Sequence, residues 1–316
     1  MVFLALALRN VRFAELWQVL SSARWRWIPA MAALSLLDLL VRALRWRILL
    51  SRAASPPVML LFRLEAIGLS VNNVLFMRLG ELARAFLAGR EIGLPFMTAL
   101  SSVAVERVLD VAALLSLFCA ASAWSGGVAL ALRRGALLVL LGVLVLLVLL
   151  VLAEGPLEPG GLWESRLRAW PRLHNLVCQM AAGAAVLRDP KAACRVAALS
   201  LSLWGLDALL YWAGGRALGL GLDYPRSILV LSWAGAGAAL PAAPGAFGTF
   251  EAMVKSVMTG FGASPDQALA YAVFNHMIMY LVVTSLGLVF LTQVGLSLGE
   301  LKTALQEPNK GSLRNN

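Results

Sequence analysis

The sequence predicts an all-α fold: a polytopic membrane protein in which two re-entrant, broken-helix units form an inverted repeat. Three observations lead there. Hydrophobic residues make up 60% of the 316 positions and charged residues 14%, with a mean hydropathy of +0.80. A soluble domain averages about 45–50% apolar and about 25% charged residues. The run from Gly135 to Ala153 carries no charge over 19 residues, enough to cross a hydrocarbon core of roughly 30 Å. Finally, Arg78-Leu79-Gly80-Glu81 is echoed by Ala246-Phe247-Gly248-Thr249-Phe250-Glu251, and Pro95 and Pro265 each follow their glutamate by fourteen residues. Eleven residues past those prolines lie Glu106 and His276, with Asp110 and Tyr280 four further on. A duplicated, charged, glycine-broken unit in an apolar chain is the pattern of a transporter with repeated halves. Nothing alternates every second residue as the strands of an outer-membrane barrel do.

Met1 to Leu8 is apolar but too short to span, and no convincing cleavage site follows it; it reads as the stub of a first helix. Arg9 to Trp27 mixes arginines with Trp17, Trp25 and Trp27, which suits an interfacial helix. A span follows from Ile28 to Leu50, and its terminal Arg42, Arg45 and Arg47 are placed to snorkel to the headgroups. Pro56-Pro57 breaks the chain. Val58 to Phe76 is apolar but interrupted by Arg63, Glu65, Gly68, Asn72 and Asn73, so it reads as a half-helix turning back at the Gly80-Glu81 loop. A short helix from Leu82 to Glu91 leads out. Non-helical backbone at depth is tolerated where protein or a water-filled cavity surrounds it. Pro95 starts a span to Trp124, and Arg133-Arg134 precede the next, Gly135 to Ala153. Glu154 to Pro190 is a polar loop with a surface helix. Lys191 to Leu218 spans again, with Asp207 near its centre as a helix-to-helix hydrogen bonder. Pro225 opens the second half-helix, broken at Pro241 to Gly248. A short helix then runs to Gly260, and Pro265 starts the last span, which ends near Gly295. The chain thus divides into residues 1–27, a truncated first helix and an interfacial helix; a transmembrane domain over 28–299, with halves 28–153 and 190–295; and a polar, frayed tail over 300–316.

Three crossings separate the two broken units, and an odd number sets them on opposite membrane faces. The first unit, the long polar loop and the C-terminus then share one face, whose basic residues include Arg47, Arg52, Arg90, Arg188, Lys191 and Lys302. The positive-inside bias assigns that face to the cytoplasm, in a membrane of the bacterial inner type. The net charge of +10 is explained by such flanking residues and anionic lipid; no nucleic-acid recognition module appears. Cys119, Cys178 and Cys194 lack metal-ligand spacing, and Cys119 reads as apolar packing. The ten tryptophans suit an aromatic belt.

Ionisable residues at membrane depth cost about 2.5–3.5 kcal/mol each on insertion scales, so they pair, face water, or both. Arg78 and Arg84 lie three residues either side of Glu81, and a helical segment brings all three to one face. Glu106 and Asp110 share a face, and Arg107 reaches Asp110. Gly80, Pro244, Gly245 and Gly248 shape the loops, where glycine permits positive φ and close approach. The helix restarting after each loop offers N–H groups to a phosphate, and Arg78, Arg84 or Arg107 can add contacts to it. Glu81, Glu106 and Glu251 can bind a cationic group or cycle a proton, and His276 is the pH-sensitive group. Ion pairs that clamp the half-helices to the following span explain the same charges without a ligand. No HExxH, GxSxG or GxxxxGK[ST] pattern occurs, so no metal, cofactor or catalytic residue is expected.

At these residues the chain resembles the lysyl-phosphatidylglycerol synthase transmembrane-region family of flippase-like membrane proteins. The resemblance rests on Arg45-Trp46-Arg47, Asn73 before Arg78-Leu79-Gly80-Glu81, Glu106-Arg107-Val108-Leu109-Asp110, Leu240-Pro241, Pro244-Gly245, Gly248 and Glu251, and runs from Ile28 to Val294. It implies movement of an aminoacylated phospholipid between leaflets. The soluble domain that makes such a lipid in two-domain members has no room before Asn316, so aminoacyl transfer by this chain is not expected. Stand-alone relatives leave the lipid open: an anionic or aminoacylated phospholipid, or a polyprenyl-type lipid. The leading expectation is a lipid flippase with a midplane site between the two units, formed by Asn73, Arg78, Gly80, Glu81, Arg84, Glu106, Arg107, Asp110, Pro244, Gly245, Gly248, Glu251 and His276. The alternatives are an accessory subunit of a lipid- or glycan-modifying enzyme and a lipid aminoacyl transferase. A homo-oligomer, or a complex with such an enzyme, is compatible with either role.

Overall fold

The computed structural model describes residues 12–75, 79–125, 128–152, 183–239 and 244–306, and all secondary structure among them is helical. The apolar stub, Arg78, Leu240-Pro241, most of the polar loop with its surface helix, and residues 307–316 lie outside the described residues. Helix α1 is Phe13–Ser21, and a 3-10 turn at Trp25–Trp27 leads into α2, Ile28–Leu50. The first broken unit is α3, Val58–Val74, with α4, Gly80–Ile92; α5, Phe96–Ser125, and α6, Leu130–Leu152, follow. Then come α7, Pro190–Ala217; α8, Tyr224–Ala239; α9, Thr249–Gly260; α10, Pro265–Gln293; and α11, Leu298–Gln306.

Local chemistry sets the helix ends. Pro190 and Pro265 open α7 and α10 in the first helical positions, where a missing N–H costs nothing and φ is pre-set. Asp189 accepts from the N–H groups of Lys191 and Ala192, and Ser264 exchanges hydrogen bonds with Gln267 in a capping box. Gly93, at φ 73°, closes α4 in the left-handed region.

Among the described residues, four helical stretches are long and apolar enough to cross a membrane: Trp25–Leu50, Leu130–Leu152, Pro190–Ala217 and Pro265–Gln293. The 30-residue α5, which carries Glu106, Arg107 and Asp110, is not among them.

The packing partners repeat. α2 packs on α3 as α7 does on α8, α3 on α4 as α8 on α9, and α4 on α5 as α9 on α10. Across the molecule α3 lies on α10 and α8 on α5, while α2 and α7 pack on each other. Small residues permit the closest approaches. A Cβ on Gly80 would strike the Gly68 carbonyl oxygen, and one on Gly287 of α10 would strike that of Ala66 in α3. Helices in lipid associate through such small-residue contacts because apolar burial between them gains little. α6 stands outside this pattern, with Leu150 its one buried residue.

Buried apolar residues form two clusters, one around α3 and α4, the other around α8 and α9. The long helices contribute one end to each: α2 through Trp46 and Met31, α5 through Val103 and Phe118, α7 through Val196 and Ala208, α10 through Leu291 and Tyr271. On each of them some of the polar residues stand near the change-over. Asp38 and Arg42 lie there on α2, Asp110 on α5, Ser200, Trp204 and Asp207 on α7, and Tyr280 and Thr284 on α10.

Two expectations are corrected. Arg42 and Arg45 do not snorkel; they are 8% and 0% exposed, while Arg47 alone of the three is exposed. Buried carboxylates hold the first two inward: Asp38 of the same helix and Asp207 of α7 for Arg42, and Asp110 of α5 for Arg45. Nor does order end at Glu300. Glu300 accepts from Ser297 N–H and Ser297 donates its hydroxyl as well, capping α11, and Leu301 is fully buried.

Candidate functional site

The charges gather in two places. The larger is a network at the change-over level of α2, α5 and α7 that extends to α3 and α4. Arg45 of α2 donates to Asp110 Oδ1 of α5 at 2.6 Å and to Ser200 Oγ of α7 at 3.1 Å. Its Nε lies 3.6 Å from Glu106 Oε1. One turn earlier, Arg42 donates to Asp38 at 2.7 Å and reaches Asp207 of α7 at 3.6 Å. On the other side, Arg84 of α4 holds Glu106 at 2.8 Å and Glu65 of α3 at 2.6 Å. Its guanidinium lies 4.1 Å over the ring of Trp46, whose indole N–H donates to Ser102. Trp204 donates to Asp110 at 3.3 Å. Low dielectric strengthens each of these contacts and makes the loss of any partner expensive.

Sequence spacing identifies part of this network. Glu106 and Asp110 do share a face, and Arg107 pairs with Asp110 at 3.3 Å. Arg84 turns away from the loop toward Glu65 and Glu106. Asp38, Arg42, Arg45, Trp46, Glu65 and Trp204 also belong to this network, and sequence reasoning did not assign them to a site. The available signal was the charge density of α2 and α3, which a span end and a lipid-averse half-helix also explain. Arg107 differs from the other network arginines: its side chain is 42% exposed, against 10% for Arg42, 4% for Arg84 and none for Arg45.

The second place is the meeting of the two helix breaks. Asn72, at the end of α3, accepts from Gly80 N–H at 2.7 Å and lies 3.3 Å from both carboxylate oxygens of Glu81. In the second unit Glu251 accepts from Gly248 N–H at 2.6 Å and meets His276 Nδ1 at 2.5 Å. Each restarting helix therefore has an acid in its first turn, complementing the helix dipole, and one loop N–H satisfied by a side chain. Phe247 and Phe250 flank the His276 ring at 4.7 and 4.3 Å.

The breaks touch each other. The Pro244–Ala246 turn packs on α3, Asn73 donates to Thr284 of α10 at 2.8 Å, and Tyr280 Oη lies 3.5 Å from the Asn73 carbonyl. Gly245, Ala246 and Gly248 adopt φ of 65°, 59° and 89°. For Ala246 that region costs about 1–2 kcal/mol, strain of the kind that collects at functional sites. The structure thus brings Asn73, Gly80, Glu81, Gly245, Gly248, Glu251 and His276 to the breaks, and Arg84, Glu106, Arg107 and Asp110 to the charged network. Arg78 lies outside the described residues, and no group able to hold a metal ion occurs among them.

Apolar helices long enough to span, with charges buried among them at one level, define a polytopic α-helical membrane protein. The chain belongs to the family described as Lysylphosphatidylglycerol synthase TM region, whose model matches residues 1–287. The match takes in the first 27 residues as well as the stretch from Ile28 that carries the motif resemblance. Membership is consistent with a role tied to membrane lipid. No curated protein and no solved structure matches the chain.

Proposed function

We propose that the chain moves a phospholipid or another anionic amphiphile between leaflets, the headgroup passing between the two broken units while the tails stay in the bilayer. The observation that carries this reading is the 42% exposed side chain of Arg107 on α5, a helix that this reading sets at membrane depth. An exposed charge there is tolerated where it meets water or a charged ligand, and a guanidinium is the group that grips a phosphate bidentately. Arg84 is committed to Glu65 and Glu106, so Arg107, with Arg78, is the phosphate contact, and Glu81 and Glu251 face the cationic part or exchange protons. The exchange symmetry of the packing supports two re-entrant units entering from opposite faces, as inverted repeats do around a midplane site. The cytoplasmic assignment of the C-terminus follows from the basic residues on its face.

Reconstitution tests it. Purified protein in liposomes should speed leaflet exchange of fluorescent or aminoacylated phospholipids. Arg107→Gln, and the Glu81→Gln with Glu251→Gln pair, should slow that exchange at least tenfold while the proteins stay folded. Equal rates for wild type and both variants across anionic, aminoacylated and polyprenyl-type lipids would sink the reading. A stable co-purifying enzyme, with no exchange, would point to the accessory role instead.

A further inference from the structure

The buried network holds more acids than its arginines can neutralise. Three arginines each have one hydrogen-bonded carboxylate: Arg42 with Asp38, Arg45 with Asp110 and Arg84 with Glu106. Two acids are left over. Asp207 reaches only Arg42, at 3.6 Å, beyond hydrogen-bond length. Glu65 Oε1 lies 2.6 Å from the Arg84 nitrogen that already serves Glu106, but out of line, and it has no hydrogen bond. Both residues are buried, at 7% and 1% exposure. Counting the half-exposed Arg107 does not restore balance, because it leans on Asp110, and five carboxylates still face four guanidinium groups. A buried carboxylate that must share its only guanidinium with another acid and makes no hydrogen bond of its own is so costly that the group takes up a proton instead.

We propose that Glu65 and Asp207 carry exchangeable protons at neutral pH, so that the chain is a proton-binding and proton-coupled membrane protein. A proton neutralises such a carboxylate without any added group. The charges acting on Glu65 are Arg84 from α4, Glu106 and Arg107 from α5 and Arg42 from α2. α10 meets α3 beside it through Gly287, at Ala66 and Ser70, and its Tyr280 and Thr284 lie further along, at Asn73. The charges acting on Asp207 are Asp38 and Arg42 from α2 and Asp110 from α5. Its own helix adds Tyr211, which accepts at its carbonyl from Tyr271 of α10, and α8 meets α7 through Tyr224 at Gly205.

The two acids stand in two ion-pair groups that meet on α2. Asp207, Arg42 and Asp38 form one, and Glu65, Arg84 and Glu106 the other; Arg45, one turn from Arg42 on the same helix, reaches Glu106. Release of either proton leaves a bare carboxylate between α2 and α7, or between α3 and α4. The interface must then open to water or to a cationic group, and re-protonation closes it. That coupling to transport rests on the proposed lipid movement; the protons themselves do not.

Infrared spectroscopy in an ester-free detergent reads protonated carboxyls directly, through a C=O stretch that an ionised carboxylate lacks. Wild-type protein at neutral pH should show this band, shifting on transfer to heavy water. Glu65→Gln and Asp207→Asn should each remove one component, and the double variant the whole. A wild-type spectrum without the band overturns the proposal even if the variants do not fold, and so does a band that survives both substitutions. In proteoliposomes, lipid exchange should respond to an imposed pH gradient and lose that response in either variant. Exchange that ignores the gradient overturns the coupling and leaves the flippase reading intact. The band without exchange of any lipid tested overturns that reading and leaves the proton sites.

Discussion

Arg45 and Arg47 are two residues apart on one helix, yet their environments are opposite: one is sealed among Glu106, Asp110 and Ser200, the other exposed. Arg45→Ala takes one guanidinium from each of two buried carboxylates, Glu106 and Asp110, and should lower unfolding stability by about 3–5 kcal/mol. Arg47→Ala should stay within about 0.5 kcal/mol. Unfolding of both variants in detergent compares them directly, and equal losses would mean that the network does not hold the helices. The contrast was not legible in the sequence. Both arginines close a span, where snorkelling is the usual outcome, and the partner that turns Arg45 inward lies 65 residues on. Spacing worked where the partners were local: Glu106 with Asp110 across one turn, and Arg107 with Asp110 across three residues. It also set Glu251 and His276 at matching places in the repeat without showing that they touch, since the contact depends on how α9 folds back on α10.

Helices were read more surely than contacts, because their ends are written in proline and glycine. The span expected over 28–50 is Ile28–Leu50. The prolines at 57, 95, 190, 225 and 265 stand at or next to helix starts. What punctuation does not reveal is which glycine inside a helix meets a neighbour. Gly142 and Gly287 both interrupt apolar runs, but a Cβ on Gly142 meets nothing within 4 Å, whereas Gly287 presses on the α3 backbone. Gly287→Ala should therefore destabilise the α3–α10 contact by about 1–3 kcal/mol, the usual cost of overpacking. Gly142→Ala should be neutral, or stabilising by up to the roughly 1 kcal/mol helix preference of alanine. Unfolding midpoints decide it, and a tolerated Gly287→Ala would show that the two helices are free to separate.

At the scale of the whole molecule, each packing partnership of the first half has a counterpart in the second, with α6 left over. The odd crossing parity expected from the sequence, which counts α5 as a crossing, turns that symmetry into a topological prediction. Cysteines placed at Glu91, beyond the first broken unit, and at Gly260, beyond the second, should react with an impermeant thiol reagent from opposite sides of sealed vesicles. Gly260 accepts the side chain, since nothing lies within 4 Å of its Cβ position. The background would lack Cys119, Cys178 and Cys194. Labelling of both from the same side would rule out the inverted arrangement. The charged helix at the centre of this molecule also constrains how it is made. α5, thirty residues long and carrying Glu106, Arg107 and Asp110, follows α2 from the ribosome. Arg45 is therefore made well before Glu106 and Asp110, the acids that surround it. Chains are synthesised from the N-terminus, and their parts fold in that order. Synthesis of this protein thus has a built-in sequence: the cation is laid down first, and the countercharges that seal it in arrive only after two further helices.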